Sequence, residues 1–275
     1  MNQFRFLTLA FIFISQAAFA DVALVDPVSV TTGLPKWGDT LHSTIKQIKD
    51  SGKYTDTGYT ECAESKEVPS SYLCMVSEKR IMNLALIRAS VYSEGDAGVP
   101  AGTVVRFDFN DFNRLLAGVL GHDIPSTNLI NFYRDVTKAC EQSHNNPMVC
   151  PNKQERDFFT NFLIPKMQEG KPFVIIAAFV LKEGLDIVSV SHEILHAQYF
   201  LNETYRNTVD NFWNTKMSEA NRATVKNNLS FGYDVNNEYV MKNEFQAYIL
   251  ELQADQDNLG SLVSLLEQPL RTALK

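Results

Sequence analysis

The pattern of apolar and polar residues predicts strands in the middle of the chain. Residues 173–181 form a continuous apolar run, rich in β-branched and aromatic side chains, which is typical of a buried strand. Residues 103–109 alternate between apolar and polar positions, which predicts a second strand. Residues 81–92 are apolar and fit either a helix or a strand. Three segments have apolar residues at helical spacing: residues 114–120, 128–140 and 154–162.

Beyond Gly184 the pattern is helical almost throughout. Apolar positions recur at helical spacing over residues 186–201 and 237–253, with breaks near Asn202 and at Phe231. We therefore predict an α+β fold with a helical C-terminal part.

The N-terminus has the three parts of a secretory signal peptide. Arg5 precedes an apolar stretch at residues 6–15, and residues 18–20 read Ala-Phe-Ala, a small-x-small cleavage site. The apolar stretch is shorter than the roughly 20 residues that a membrane helix needs. We expect residues 1–20 to be removed, which leaves a secreted or periplasmic protein that begins near Asp21.

The distribution of charged and of apolar residues argues against two classes of partner, nucleic acid and membranes. The formal net charge is −7, and acidic and basic residues are mixed along the chain rather than grouped in blocks. Nucleic acid is not expected as a partner, because phosphate binding needs a concentrated basic surface. Beyond the N-terminal segment no apolar run reaches the length of a membrane helix, so no membrane association is expected after signal removal.

Four cysteines in an exported chain predict disulfide bonds, and four cysteines allow three pairings. We favour the two local pairs, Cys62 with Cys74 and Cys140 with Cys150. Each of these pairs closes a loop rich in Pro, Ser or Asn. A structural metal site is the alternative, but none of the spacings is C-x-x-C.

The predicted helix at residues 186–201 carries the sequence HEILH at residues 192–196. Residues four apart on a helix lie on the same face, so His192 and His196 can bind one ion. Glu193 is rotated from His192 by about 100°, which favours contact with a metal-bound water over direct ligation. A zinc ion held by two imidazoles needs a third ligand and an open position for water.

This motif resembles that of the zincin metallopeptidases, in which H-E-x-x-H lies on an active-site helix packed beneath a β-sheet. The resemblance covers the 173–181 strand, the motif helix and one downstream helix, and nothing before residue 170 contributes to it. It implies a small sheet over an active-site helix, a Zn²⁺ cofactor and a peptide or protein substrate.

The resemblance also indicates the third zinc ligand. Tyr199 and Asn202 occupy the Gly and His positions of the longer metzincin motif, which excludes that branch. The sequence NEFQA at residues 243–247 is similar to the N-E-x-x-small pattern of the gluzincins, the thermolysin-like branch, where the glutamate completes the zinc site. We therefore expect Glu244 to be the third ligand.

The chain departs from the thermolysin pattern at one supporting position. Tyr248 stands where those enzymes have the aspartate that orients the first histidine, so this role is vacant or filled by another residue. Glu251 and Glu238, on the same predicted helix, remain alternatives to Glu244 as the ligand.

Within this resemblance, Glu193 is the expected general base, which takes a proton from the zinc-activated water and gives it to the leaving amine. A further hydrogen-bond donor should stabilise the oxyanion. The exposed edge of the 173–181 strand would bind an extended substrate by strand addition. Four tyrosines are candidates for the oxyanion donor: Tyr205, Tyr233, Tyr239 and Tyr248.

The sequence thus predicts a secreted or periplasmic zinc metallopeptidase that hydrolyses peptide bonds. We expect a signal peptide at residues 1–20. The rest of the chain would be divided into an N-terminal mixed α/β region with both disulfides (residues 21–170) and a zincin-like catalytic core (residues 171–275). Alternatively, residues 21–275 form one continuous domain. Two alternatives stay open. One is a zinc amidase that acts on cell-wall peptides, and the other is an exported binding protein on a vestigial zincin scaffold.

Overall fold

The computed structural model describes much of the chain from residue 62 onward. The described ranges are residues 62–65, 68–76, 78–96, 98–109, 112–181, 184–185, 187–251 and 259–274. The predicted signal peptide, residues 1–20, lies outside them. Within these ranges no helix combines the length and the apolar character needed to cross a membrane.

A small mixed sheet lies in the N-terminal part. The described strands are β1 (Cys62–Glu64), β2 (Ser71–Val76), β3 (Gly121–Pro125), β4 (Val174–Leu181) and β5 (Gly184–Leu185). Their order is β1-β2-β4-β3, with β2 and β4 parallel and the other neighbouring pairs antiparallel, and β5 pairs with the end of β4. Among the described strands, β4 is therefore interior and β3 lies at an edge of the sheet.

Helices form most of the remaining described structure. Those before β4 are α1 (Lys79–Glu94), α2 (Phe112–Gly118), α3 (Ser126–Gln142), α4 (Lys153–Phe158) and α5 (Ile164–Glu169). A π-helical turn, Phe159–Leu163, joins α4 to α5. Those after the sheet are α6 (Ile187–Leu201), α7 (Glu203–Thr215), α8 (Glu219–Leu229), α9 (Glu238–Leu250) and α10 (Ser261–Ala273).

The sheet is covered on both faces, which explains the continuous apolar run of β4. Ile175 and Ala177 belong to a core with α1, α3 and the 158–163 segment. Their neighbours Ile176 and Ala178 point to the other face, because side chains alternate along a strand, and they pack against α6.

The helix α6 lies between two cores. Ile194 and Ala197 pack against the sheet, whereas Leu195 and Tyr199 join the core of α7, α9 and α10. The helix is therefore buried along much of its length. Polar side chains that it carries must find partners inside the protein, since an unpaired buried polar group is costly.

The structure confirms the α+β class, the strand at residues 173–181 as β4 and the helix at residues 186–201 as α6. It also shows that residues 81–92, whose pattern fits either a helix or a strand, belong to the helix α1.

Two predictions about strands were wrong. Residues 103–109 form no strand, and Val105 and Phe107 pack instead against a cluster on α1 and α2. Alternating burial arises here without a neighbouring strand to supply hydrogen bonds. The 173–181 strand has no exposed edge at residues 174–178, because β2 and β3 flank β4 on its two sides there.

Both local disulfide bonds are confirmed. Cys62 and Cys74 stand directly opposite each other on β1 and β2, with Cα atoms 4.1 Å apart. Cys140 and Cys150, with Cα atoms 4.4 Å apart, join the end of α3 to the segment that precedes α4. No cysteine of the chain is free.

Candidate metal centre

The helix α6 places the two motif histidines side by side. The ring centroids of His192 and His196 are 4.7 Å apart. His192 is 9% exposed and His196 is 1% exposed. The apolar residues between and beside them anchor the helix to the sheet and to the C-terminal core, so both rings are held in a buried setting.

The helix α9 brings Glu244 to both histidines. Its Oε2 lies 3.6 Å from Nε2 of His192, and its Oε1 lies 3.6 Å from Nε2 of His196. The three side chains each offer one ligand atom, and these atoms all lie within 4.8 Å of one another. The predicted ligand set His192, His196 and Glu244 therefore converges in the structure.

These atoms are close enough together for one metal ion to contact all three residues. Zinc bonds of about 2.0–2.1 Å to nitrogen and oxygen place neighbouring ligand atoms about 3.3 Å apart in a tetrahedron. Each carboxylate oxygen of Glu244 lies 3.6 Å from one histidine nitrogen, which is close to this value. In addition, Oε2 of Glu244 is buried and has no hydrogen-bond partner. Such an atom is costly to bury, and a metal ion at this point would satisfy it.

Glu251 fills the supporting role that the sequence left open. Its Oε2 lies 2.7 Å from Nδ1 of His192, with both groups buried. A carboxylate accepts at this distance, so Nδ1 carries a proton, and a metal ion would take the place of the proton on Nε2. Glu251 therefore orients His192 from just beyond the end of α9, in place of the aspartate expected at Tyr248. Glu238, the other alternative ligand, is exposed in the first turn of α9, where it pairs with Lys242 at 3.7 Å.

Burial and the attraction between histidines and carboxylates set the protonation of His192, His196 and Glu244. Burial acts to lower the pKa of His192, but the neighbouring carboxylates of Glu244 and Glu251 outweigh it and hold this pKa well above its usual value. Burial lowers the pKa of His196 to about 4. For Glu244, burial favours the neutral acid, yet the two histidines outweigh it and the pKa is lowered. Glu244 is thus an anion, as metal ligation requires.

Glu193 lies beside the histidines in a second cluster that also contains Asp123 and Glu94. Ligand-competent atoms of Asp123, Glu193 and His196 all lie within 4.8 Å of one another. Asp123 is on β3, and Glu94 is the last residue of α1. Burial raises the pKa of Glu193 to about 7. Burial and then repulsion from neighbouring carboxylates hold the pKa values of Glu94 and Asp123 well above their usual values.

The edge strand β3 passes directly over Glu193. A Cβ atom placed on Gly121 would lie 2.9 Å from both Cγ and Cδ of Glu193, which is closer than real Cβ atoms approach other atoms. The absence of a side chain at Gly121 therefore makes room for the carboxyl group of Glu193.

Sequence reasoning missed Asp123, Glu94 and Gly121. β3 reads GHDIP and has no apolar run that would identify it as a strand. The sequence did contain a signal for Glu94. The helix dipole disfavours an acidic residue in the last turn of a helix, so an acidic residue at that position suggests a role in the tertiary structure.

Two of the four tyrosine candidates line the site. The ring of Tyr248 lies edge-on to that of His192, with centroids 4.5 Å apart. The hydroxyls of Tyr233 and Tyr248 are 3.3 Å apart, and the Tyr233 hydroxyl interacts with the carboxylate of Glu244. The Tyr233 hydroxyl therefore contacts one member of the ligand set directly.

The other two tyrosines have different surroundings. Tyr205 donates its hydroxyl to Oε1 of Gln246 at 2.6 Å inside the C-terminal helical core. Tyr239 is 46% exposed, and its ring stacks on Phe200.

Comparisons of the chain with protein-family models, with curated proteins and with solved structures found no match.

Proposed function

We propose that this protein is a zinc-dependent metallopeptidase with a zincin-like catalytic core of the gluzincin type. One observation carries the proposal: His192, His196 and Glu244, from two different helices, direct ligand atoms at one point, with the carboxyl group of Glu193 beside it. A bound zinc ion would supply Lewis-acid polarisation of the scissile carbonyl and of the attacking water.

Glu193 is suited to the role of general base. A base works best with a pKa near the working pH, and burial raises the pKa of Glu193 to about 7. In the proposed reaction its carboxylate accepts a proton from the attacking water and later gives this proton to the leaving amine. Gly121 permits this placement, since any larger residue there would displace the carboxyl group.

The edge strand β3 is the substrate-binding element in this proposal. Among the described strands it pairs with β4 alone, and its first residue, Gly121, lies over Glu193. An extended peptide paired with its free side would therefore lie next to the catalytic carboxylate. Tyr233, whose hydroxyl lies beside Glu244, is the proposed oxyanion donor.

The proposed setting is outside the cytoplasm. Two disulfide bonds are typical of an oxidising compartment, and residues 1–20 have the sequence pattern of a secretory signal.

The test is the pair of variants Glu193→Gln and Glu238→Gln, with zinc content and hydrolysis measured on the same preparations. We expect Glu193→Gln to keep near-stoichiometric zinc and to lose at least 100-fold in hydrolysis, because it retains the shape of the base but cannot accept the proton. Glu238→Gln, an exposed change on α9, should alter neither quantity.

The choice of substrates separates the proposal from its alternatives. Cleavage of unfolded proteins or peptides supports a peptidase, whereas cleavage confined to peptidoglycan fragments supports a cell-wall amidase. Zinc without any hydrolysis would favour a binding protein. Absence of zinc from the wild-type protein would overturn the proposal.

A further inference from the structure

The helix α1 carries a buried guanidinium group. Arg88, in the middle of this helix, is 1% exposed, and its Cζ lies 4.3 Å from the ring centroid of Phe107. A buried charge is strongly destabilised unless polar groups of the protein replace the water that it has lost. The hydrogen bonds of Arg88 are therefore important for the stability of α1.

Two backbone carbonyls accept hydrogen bonds from this guanidinium group. Nη2 donates to the carbonyl of Val149 at 2.8 Å, and Nη1 donates to the carbonyl of Cys150 at 3.3 Å. Oε2 of Glu155 is 3.4 Å from Nη1 and is shared with the backbone N–H of Asn152. Nε of Arg88 is buried without a hydrogen-bond partner among the described residues. Loss of the two carbonyls would leave the charge with one long contact to a carboxyl group.

Both carbonyls belong to the connection between α3 and α4, residues 143–152, which the Cys140–Cys150 disulfide closes. This connection contains no helix or strand. His144 and Asn145 have φ angles of 55° and 61°, in the left-handed region that residues other than glycine adopt at a cost. We therefore expect the connection to relax when the disulfide is broken.

The same disulfide is accessible from solution. Cys140 and Cys150 are both half-buried. In the other disulfide, Cys74 is 2% exposed. A thiolate must reach a disulfide sulfur to attack it, so a reductant should break the Cys140–Cys150 bond first.

We propose that the Cys140–Cys150 disulfide is a redox-sensitive lock that holds α1 through Arg88. A dithiol reductant transfers two electrons and two protons to the bond, which gives two cysteine thiols and leaves the reductant as a disulfide. The 143–152 connection then relaxes, its carbonyls leave the guanidinium group, and the uncompensated buried charge loosens α1.

The lock acts on the candidate site through β3. Two side chains of α1 hold His122, since Oδ1 of Asn83 lies 2.8 Å from its Nε2 and Oγ of Ser90 lies 2.7 Å from its Nδ1. Gly121, the neighbour of His122 on β3, lies over Glu193. Loosening of α1 should therefore loosen β3, whether or not the site binds zinc.

The test titrates the folded protein with dithiothreitol, identifies new thiols by alkylation and mass spectrometry, and measures amide hydrogen exchange along the chain. Cys140 and Cys150 should be alkylated before Cys62 and Cys74. Exchange in α1 and β3 should rise at least tenfold at that point, because each hydrogen bond to a charged group is worth about tenfold or more in an equilibrium. The double variant Cys140→Ser/Cys150→Ser should show the same rise without reductant, whereas Cys62→Ser/Cys74→Ser should raise exchange chiefly in β1 and β2. Should the first double variant not fold, the titration of the wild type carries the test.

Arg88→Met shows whether Arg88 is the link between the disulfide and α1. This variant has no buried charge to lose its partners, so reduction should raise exchange in α1 less than threefold. Arg106→Met, a change at an exposed arginine that pairs with Asp108, is the matched control and should keep the tenfold response.

Three outcomes would overturn the lock: an equal response in Arg88→Met, a rise that is uniform over the whole chain, or earlier reduction of Cys62–Cys74. None of them bears on the proposed function, whose failure would appear as absence of zinc from the wild-type protein.

Discussion

The hydrogen bond between Glu251 and His192 provides the sharpest test of the metal centre, because it distinguishes a supporting residue from a ligand. Oε2 of Glu251 lies 2.7 Å from Nδ1 of His192, with the side chains 5% and 11% exposed. Glu251→Gln keeps an acceptor oxygen but removes the negative charge that strengthens the bond and makes the imidazole a better zinc ligand.

Loss of such a supporting partner weakens metal binding by about 10- to 100-fold, which corresponds to about 1.4–2.8 kcal/mol. Glu251→Ala should cost more than Glu251→Gln. It leaves the buried N–H of His192 without an acceptor, a further penalty of about 1–3 kcal/mol. Glu244→Gln, which changes a proposed ligand, should have the largest effect of all.

The assay is competition for zinc with a chromophoric chelator at one fixed pH, since metal affinity depends on the protonation of the ligands. Glu238→Gln, an exposed change on the same helix, is the control and should bind zinc as the wild type does. Wild-type affinity in Glu251→Gln would refute the supporting role. A loss as large as that of Glu244→Gln would mean that Glu251 is itself a ligand.

Three further predictions follow from the geometry. Gly121→Ala should keep zinc but lower kcat/KM by about 100-fold, because its Cβ displaces the carboxyl group of Glu193; equal activity would contradict the close contact. Tyr233→Phe should lower kcat by about 100- to 1,000-fold at unchanged zinc content, whereas Tyr205→Phe should not; a similar loss in both would remove Tyr233 as oxyanion donor. His122 should make the fold acid-sensitive, because burial lowers its pKa to about 3 while the unfolded chain binds the proton below about 6.5. Stability should therefore fall as the pH drops between these values, by about 5 kcal/mol in all and by about 3 kcal/mol down to pH 4. Denaturant unfolding of wild type and His122→Gln from pH 7 to pH 4 measures this loss, which should be smaller in the variant.

The pH prediction depends on the hydrogen bonds of His122. Nε2 lies 2.8 Å from Oδ1 of Asn83, and Nδ1 lies 2.7 Å from Oγ of Ser90. Asn83 uses its amide group to donate to the carbonyls of Leu116 and Val119, so its oxygen can only accept. Nε2–H therefore donates to Asn83. In the neutral ring, which burial favours, Nδ1 accepts from the Ser90 hydroxyl, so both ring nitrogens are satisfied without a second proton.

Local signals in the sequence were strong enough to predict several parts of the fold and of the candidate site. The apolar run at residues 173–181 predicts a buried strand, and residues 173–178 bury their side chains alternately on the two faces of the sheet. The spacing of His192 and His196 predicts a shared face, because helix geometry fixes the relative direction of residues four apart. The two disulfides were predictable because each closes a short local loop.

Other features depend on how distant segments pack, and no local pattern encodes them. Residues 103–109 have the alternation of a strand, but whether a strand forms depends on a neighbouring backbone, and here helices α1 and α2 take that place. The position of β4 inside the sheet was likewise undetermined, because the short and polar β3 gave no sign that it would cover one side.

The candidate metal centre shows most clearly which features the sequence determines and which depend on tertiary structure. The sequence determined the two histidines and the adjacent glutamate, since one helix carries all three, and it indicated Glu244 through the short NEFQA pattern on α9. Only the tertiary structure decided that Glu251 holds His192 and that Asp123 and Glu94 join Glu193. The physical reason is that sequence spacing fixes directions within one helix, whereas contacts between β3, α1, α6 and α9 depend on the packing of the whole fold.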